Sequence, residues 1–454
     1  MLFKNTFEQH PALRFVFDKL QFHSRMGHQA MLNSPVILEK DELERRIGEL
    51  ARIVTLMKDS EQRKLLMKAA HNIHLVNDIA PALKALSDGS VMDDIQLFEI
   101  KKAAIYMRNV ADNISLLPME WLKFHDMRGV ISILDPEHTG IPHFYVYSVY
   151  DDALHAVRGE IERCADPTER ERLRFEEKEI EERVRSVLSD KLRPYAGELL
   201  ENLRKIAGLD ILLAKAKYAV DNSCCRPSVS SSHSFSGLTN PMVADQLSRN
   251  GRQFQPLNVS FGNETVLVTG ANMGGKSVLL QTLAMAQYLF QFAFFLPAEQ
   301  ASLAIVDEVA CSFGDRQSAL SGLSSFAVEI LTVDKIVRAA KEGRRVLALV
   351  DELARTTNPE EGRLLVAGFL KVCMRLSITA VVTTHYGGVD VPCRKLRVKG
   401  LVIPPGTTQL NARHIADLMD YSIIETDDTD VPREALTIAR LLDVDGDYLD
   451  ECVE

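Results

Sequence analysis

Cysteine is the first shortage. The 454-residue chain carries seven: Cys164, Cys224, Cys225, Cys311, Cys373, Cys393 and Cys452. They form no CxxC pair and no Cys/His spacing of a zinc site, which excludes a zinc module and a disulfide-stapled scaffold. An odd, scattered set suits a reducing cytosol, so a cytoplasmic protein is expected. Positive charge is short as well, with 53 Lys and Arg against 63 Asp and Glu, a net charge of −10. Such a chain is not built around non-specific attraction to phosphate backbones or anionic lipid. The N-terminal stretch MLFKNTFEQHPALRFVFDKL has no uninterrupted apolar run and no cleavage site, so no signal peptide is expected. One stretch, 278–296, is free of charge, but Gln281, Gln287 and Gln291 interrupt it. A buried core helix is expected there, and no membrane partner. There is no internal repeat.

What remains is the balance of a soluble multidomain protein: 46% hydrophobic and 26% charged residues. Up to about residue 220, Gly and Pro are sparse and apolar residues recur at helical steps. Between 174 and 219, Ile180, Val184, Val187, Leu188, Leu192, Tyr195, Leu199, Leu203 and Ile206 form one stripe, and Pro194 should break that helix. A shorter region, 126–174, interrupts the pattern. DPEHTGIP supplies turn signals and PHFYVYSVY reads as a strand. Phe144, Tyr145 and Tyr147 could stack on bases, although packing is the favoured reading. Six of the nine residues 228–236 are Ser, which with Arg226-Pro227 marks a domain boundary. Beyond it, short apolar strands at Thr265–Thr269, Val346–Val350 and 380–384 alternate with helical stretches, the pattern of a wound α/β domain with a largely parallel sheet. The acidic tail contains Asp443-Val-Asp445-Gly-Asp447, whose Gly comes too early for a calcium loop. Two short helices, 435–442 and 447–453, are expected instead.

The strongest chemical signal is Gly270-Ala271-Asn272-Met273-Gly274-Gly275-Lys276-Ser277, a GxxxxGK[ST] loop between an apolar strand and a long helix. Glycines let backbone N–H groups close around phosphate oxygens, and the helix N-terminus adds its dipole. Lys276 can bridge the β- and γ-phosphates, and the Ser277 hydroxyl can ligate Mg²⁺. A second acidic site is required at the end of another strand. Asp307-Glu308 follows Ala304-Ile-Val only 30 residues after Ser277 and reads as a structural strand-end pair. Asp351-Glu352 ends the cleaner run Val346–Val350, 74 residues after Ser277. Asp351 is therefore assigned to Mg²⁺ and Glu352 to the attacking water. A third strand ends in His385, placed to sense the γ-phosphate or the water.

TGANMGGKSV, SGLSSFAVEI, LVDELARTTNPEEG and TTHY stand in the order and spacing of the MutS family of ATPases. Asn272-Met273 within the loop is particularly MutS-like. FEEKEIEERVRSVLSDKLRPYAGELLENLRKIAGLDIL resembles that family's lever helix, and Asp315-Arg-Gln-Ser318 the branch without mismatch-reading domains. The resemblance implies an all-α lever/core domain (1–222, with a short clamp-like insertion near 126–174) followed by an α/β P-loop NTPase domain of ABC type (223–454). The terminal helices would dimerise. It implies ATP and Mg²⁺ as cofactors, and a homodimer or a pairing with a similar subunit. Gly270 to Val278 would bind nucleotide, and Ser277 and Asp351 would hold Mg²⁺. Lys276, Glu352 and His385 would be catalytic. Ser324, beside Gly322 and held by Phe326 and Glu329, would reach the partner's γ-phosphate.

Departures from the family are equally informative. Its mismatch-binding, connector and endonuclease domains have no counterpart in the sequence, and Val278 stands where GKST has Thr. Residues 1–216 hold 31 basic and 35 acidic residues, not the charge of a DNA clamp. Two targets remain. One is a partner enzyme, since short MutS-like ATPases resemble the reactivating factors of cobalamin-dependent aminomutases. The other is mismatched, duplex or branched DNA, gripped by an ATP-gated clamp in mismatch repair or recombination. Charge puts the protein target ahead, while the family's commonest role favours DNA.

Overall fold

The computed structural model describes residues 1–270, 274–313, 325–403, 416–427, 435–442 and 444–452. These form two compact units, each discontinuous in sequence. One consists of residues 20–34 and 52–217. The other takes residues 1–19, 35–51 and 218 onward. The division expected at 222/223 therefore moves to 217/218, and two N-terminal segments join the C-terminal unit.

The regular elements of the first unit are all helical. Asp59, Asp93 and Asp166 cap helices Ser60–Leu75, Asp94–Ser115 and Pro167–Leu192. At Asp93 the cap is a reciprocal box with Gln96, which satisfies two otherwise orphaned N–H groups. Pro194 breaks the long helix as expected. A 3₁₀ turn, Arg193–Tyr195, separates Pro167–Leu192 from Ala196–Asp221. Seven residues of the predicted stripe are buried, but Val187 is 51% exposed and Tyr195 half-buried.

The strand expected at PHFYVYSVY does not form. The chain is irregular there and ends in the 3₁₀ turn Ser148–Tyr150. Two cations replace the strand ladder. Arg158 Nη1 donates to the Val146 carbonyl at 2.7 Å and the Ser148 hydroxyl at 3.0 Å. Lys101, fully buried, donates to Tyr147 Oη at 3.2 Å and Asp135 Oδ1 at 3.0 Å. Phe144 and Tyr147 are buried, so neither is available to stack on a base. Tyr145 is half exposed.

The second unit is α/β. Its strands are β1 (Ser228–Val229), β2 (His233–Leu238), β3 (Leu257–Phe261), β4 (Thr265–Thr269), β5 (Gln300–Leu303), β6 (Glu308–Ser312), β7 (Val346–Val350), β8 (Thr379–Thr383), β9 (Arg394–Leu401) and β10 (Met419–Glu425). The Ser-rich stretch is not a linker. It builds β1 and β2 of a four-stranded sheet ordered β1-β5-β2-β3, and in β2 the residues His233, Phe235 and Leu238 turn inward.

The larger sheet is ordered β10-β9-β4-β8-β7-β6, parallel except for β10. Strands β4, β7 and β8 are buried at every residue, as apolar central strands must be. On one face the core gathers Leu267, Ile336, Val366, Phe369 and Leu370 from the sheet and the helices Ser325–Lys341 and Pro359–Arg375. Each such side chain contributes about 1.5–3 kcal/mol of transfer free energy. The charge-free stretch forms the helix Lys276–Gln291, buried along nearly its whole length. Gln287 and Gln291 spend their amides on Ala304 and Val306 carbonyls. Among the described residues no helix is long and apolar enough to cross a membrane.

Candidate nucleotide site

The strand order builds the site. β8 lies between β4 and β7, all three run parallel, and their C-terminal ends therefore open on one edge. Ligands of wound α/β sheets sit at that edge. Gly270 follows β4, Thr384-His385 follow β8, and Asp351-Glu352 follow β7.

Gly270 has φ +146°, and a Cβ there would lie 3.2 Å from Val398. Gly275 has φ +78° and caps the helix Lys276–Gln291 without any side-chain acceptor, so no cap side chain satisfies the first helical N–H groups. Ser277 is exposed on the first turn. Val278 follows, and its carbonyl accepts from the Thr282 hydroxyl within the helix. Lys276 is only 4% exposed. Its Nζ donates to the Gly270 carbonyl at 2.8 Å and lies 3.6 Å from Glu352 Oε1.

The acidic turn after β7 is held on several sides. Asp351 N–H donates to the Ser312 carbonyl at 2.9 Å, and Asp351 Oδ1 accepts from the Thr383 hydroxyl at 2.7 Å. Glu352 and Ala354 adopt left-handed conformations, φ +46° and +62°. Ala354 N–H donates to Glu329 Oε2 at 2.9 Å, and the Ala354 carbonyl accepts from the Tyr386 hydroxyl at 2.6 Å. Arg355 Nη1 lies 3.4 Å from Glu352 Oε2. The His385 ring is 4.1 Å from that of Tyr386, and among the described residues its buried Nδ1 has no hydrogen-bond partner. Burial lowers the His385 pKa; Glu352 opposes this, while Lys276 and Arg355 reinforce it. A lowered pKa favours the neutral ring, which carries one donor and one acceptor nitrogen.

Lys276, Glu352, Asp351 and His385, all singled out in the sequence, lie near one another, with Gly270, Gly274, Gly275, Ser277 and Val278 on the loop and helix start. Ala271, Asn272, Met273, Gly322, Ser324 and Asp315 to Ser318 lie outside the described residues. Glu329, expected to steady the Ser324 segment, spends a carboxylate oxygen on the acidic turn of its own chain. Phe326 packs against the core. Asp307-Glu308 does not end a strand. β6 begins at Glu308, and the two acids pair with Arg345 and Arg344 at 2.6 Å each. Their role is structural, but at the opposite end from the site.

Three contributors were missed. Thr383 and Tyr386 flank His385 in sequence, and the run TTHY was the available signal. Tyr421 had none. It stands on β10, and a Cβ on Gly275 would meet its ring at 3.0 Å, so the ring lies against Gly275. Gln255 fixes that strand, accepting from Tyr421 N–H and donating to Asp420 and Ser422.

The donors fit a Mg²⁺–nucleotide. A left-handed glycine at a helix start, a buried ammonium and helix N–H groups without a side-chain cap suit phosphate oxygens. Mg²⁺ held together with phosphates needs only one or two protein oxygens. Ser277 and Asp351 are residues that could supply these, and among the described residues no group of three His, Cys, Asp or Glu side chains is arranged to hold a metal.

The parallel sheet, the loop at the end of β4 and the acids at the end of β7 define a P-loop nucleoside-triphosphatase fold. Comparison narrows the class. Residues 266–400 match the family model MutS domain V. The chain is 31% identical over 217 residues to Endonuclease MutS2 of Levilactobacillus brevis, covering 47% of this chain and 27% of that protein. Endonuclease MutS2 of Pediococcus pentosaceus is 32% identical over 211 residues, 45% of this chain and 26% of its own. That of Thermus thermophilus is 32% identical over 213 residues, 47% and 27% respectively. Residues 266–400 are thus similar to a domain of the MutS family, an ATPase-type family, and the matches span about a quarter of each relative.

Proposed function

We propose that the chain is a Mg²⁺-dependent ATPase of MutS type whose nucleotide cycle acts on DNA. The observation that carries the ATPase reading is the convergence of Lys276, Asp351, Glu352 and His385 at the ends of three adjacent parallel strands. Bound Mg²⁺ would neutralise phosphate charge from Ser277 and Asp351. Lys276 stabilises charge on the phosphates, and Glu352 and His385 orient water. The chain works as a homodimer or with a similar subunit, with Ser324 of one copy completing the site of the other, and the helical unit serves as lever.

The DNA reading is supported by the relatives, each named an endonuclease. Their nuclease activity is not carried over, because the match covers only about a quarter of each. A second reading keeps one observation, the net charge of −10, which suits a protein target such as a cobalamin-dependent aminomutase. The relatives lend that partner no support. The two readings part in one assay: ATPase rate with duplex and branched DNA across a salt series. DNA stimulation that falls steeply with salt is expected. A rate indifferent to every DNA at low salt would overturn the DNA reading in favour of a protein target.

A further inference from the structure

We propose that Thr383 is a positioning residue that sets both acids of the site with a single hydroxyl. The proposal rests on the assignment of Asp351 and Glu352 to the nucleotide site. Thr383 is the last residue of β8 and is fully buried. β7 and β8 pair as far as Val350 and Val382. One step further the backbone ladder stops, and a side chain takes its place. Thr383 Oγ1 donates its one hydrogen to Asp351 Oδ1 at 2.7 Å and accepts Glu352 N–H at 3.0 Å. A hydroxyl has one donor and two lone pairs, so the acceptance leaves the hydrogen committed to the carboxylate.

The two bonds do different work. The first fixes the rotation of the Asp351 carboxylate, the group assigned to Mg²⁺. The second holds the backbone of Glu352 in a left-handed conformation, φ +46°, which a non-glycine residue keeps only when its surroundings over-determine it. The same conformation brings the Glu352 carboxylate to 3.6 Å from Lys276 Nζ and 3.4 Å from Arg355. Remove the hydroxyl, and Asp351 loses a charge-assisted bond while Glu352 keeps a buried N–H without its acceptor. Both acids then drift together, although neither has been altered. The Tyr386 hydroxyl on Ala354 and Glu329 on the Ala354 N–H hold the far end of the turn, so the effect is one of aim and not of collapse.

The test uses the full chain. Thr383→Val removes the hydroxyl at constant shape, and Thr383→Ser restores it. For Thr383→Val, kcat is expected to fall about ten- to hundredfold and half-saturation by Mg²⁺ to rise about tenfold, the usual scale for groups that orient a metal ligand. KM for ATP at saturating Mg²⁺ should stay near wild type, and Thr383→Ser should recover most of both losses. A structural role would move Tm without moving the Mg²⁺ dependence. If Thr383→Val does not fold, Thr383→Ala gives the same reading without the added methyl. Wild-type kcat and Mg²⁺ dependence in the hydroxyl-free variants would overturn the proposal, as would failure of Thr383→Ser to rescue. Asp351→Asn and Glu352→Gln run alongside. If they cripple turnover while Thr383→Val does not, this proposal alone fails. If they are harmless, the site assignment beneath it fails.

Discussion

Among the buried lysines are Lys101 and Lys276, one in each unit, and each faces a carboxylate. Lys101, in the helical unit, lies 3.0 Å from Asp135 and 3.2 Å from the Tyr147 hydroxyl. Asp135 also accepts from the Thr139 hydroxyl and the Gly140 N–H, both at 2.8 Å. Burial opposes charge on Asp135, yet Gly140, Lys101 and Thr139 outweigh it and bring its pKa down to about 2. Lys276, at the nucleotide site, sits 3.6 Å from Glu352, and its short contact is to a carbonyl. The first arrangement places three donors on one buried carboxylate and serves the fold. In the second the ammonium and the carboxylate stand further apart, and Arg355 shares the carboxylate. A charge pair is therefore read by its spacing and by the burial of its acid, 3% exposed for Asp135 and 18% for Glu352.

The largest expected effects break this contrast directly. Lys276→Ala should abolish ATP binding, measured with a fluorescent nucleotide, with Tm close to wild type. Lys101→Ala should do the reverse, leaving Asp135 buried and unpaired at a cost of about 3–5 kcal/mol of unfolding free energy. Nucleotide affinity of the remaining folded protein should be unchanged. If Lys101→Ala is harmless to urea stability, or Lys276→Ala unfolds the chain, the distinction fails. Next in size, Glu352→Ala should keep ATP binding and lower turnover about a hundred- to ten-thousandfold, the range for a positioned general base. Normal single-turnover kinetics would remove Glu352 from its role.

A smaller effect separates the units by pH. His10 and His233, both in the α/β unit, have pKa values lowered by burial to about 4. The unfolded imidazoles titrate near 6.5 and take up protons that the folded ones refuse, so stability is full above that pH and falls from about 6.5 toward 4. Asp135, lowered to about 2, acts in a lower window, losing its contribution as pH drops below about 4. Between pH 7 and 5 the α/β unit should therefore soften first, seen by hydrogen exchange in β2 and β3. His233→Phe should flatten that response, since the imidazole already stacks on Phe261 at 4.8 Å.

What the sequence revealed follows the same division. Gly270–Ser277, Val346–Glu352 and 379–385 each announce a strand end by local pattern, so Lys276, Asp351, Glu352 and His385 were readable without the fold. Thr383 was not, because its task depends on the register of β7 against β8. Tyr421 reaches Gly275 only through the pairing of β9 with β10. The strand misread at 142–150 had the right propensity, but Lys101 and Arg158 claimed its polar groups from elsewhere. Residues 1–19 read as helical and are helical. Nothing in a helical period says that Phe3 packs against Phe17, Phe292 and Phe294.

The finest test concerns backbone conformation. Each lysine has a left-handed non-glycine residue near its acid: His138 at φ +56° in the turn after Asp135, and Ala354 at φ +62° in the turn after Glu352. An L-residue held this way costs about 1–2 kcal/mol, and glycine escapes the cost but gives back about 0.5–1 kcal/mol in chain entropy. His138 is exposed, so His138→Gly should raise stability by up to about 1 kcal/mol and leave ATPase unchanged. Ala354 is fully buried, and losing its methyl costs about 0.8 kcal/mol more, so Ala354→Gly should leave stability nearly unmoved. Its turn, however, gains freedom just where Glu352 must be aimed. A few-fold fall in kcat at constant Tm is expected for Ala354→Gly, and no fall for His138→Gly. Equal kcat in both variants would mean that the strain in the acidic turn is incidental, and that the carboxylate near Lys276 is no more purposefully aimed than the one near Lys101.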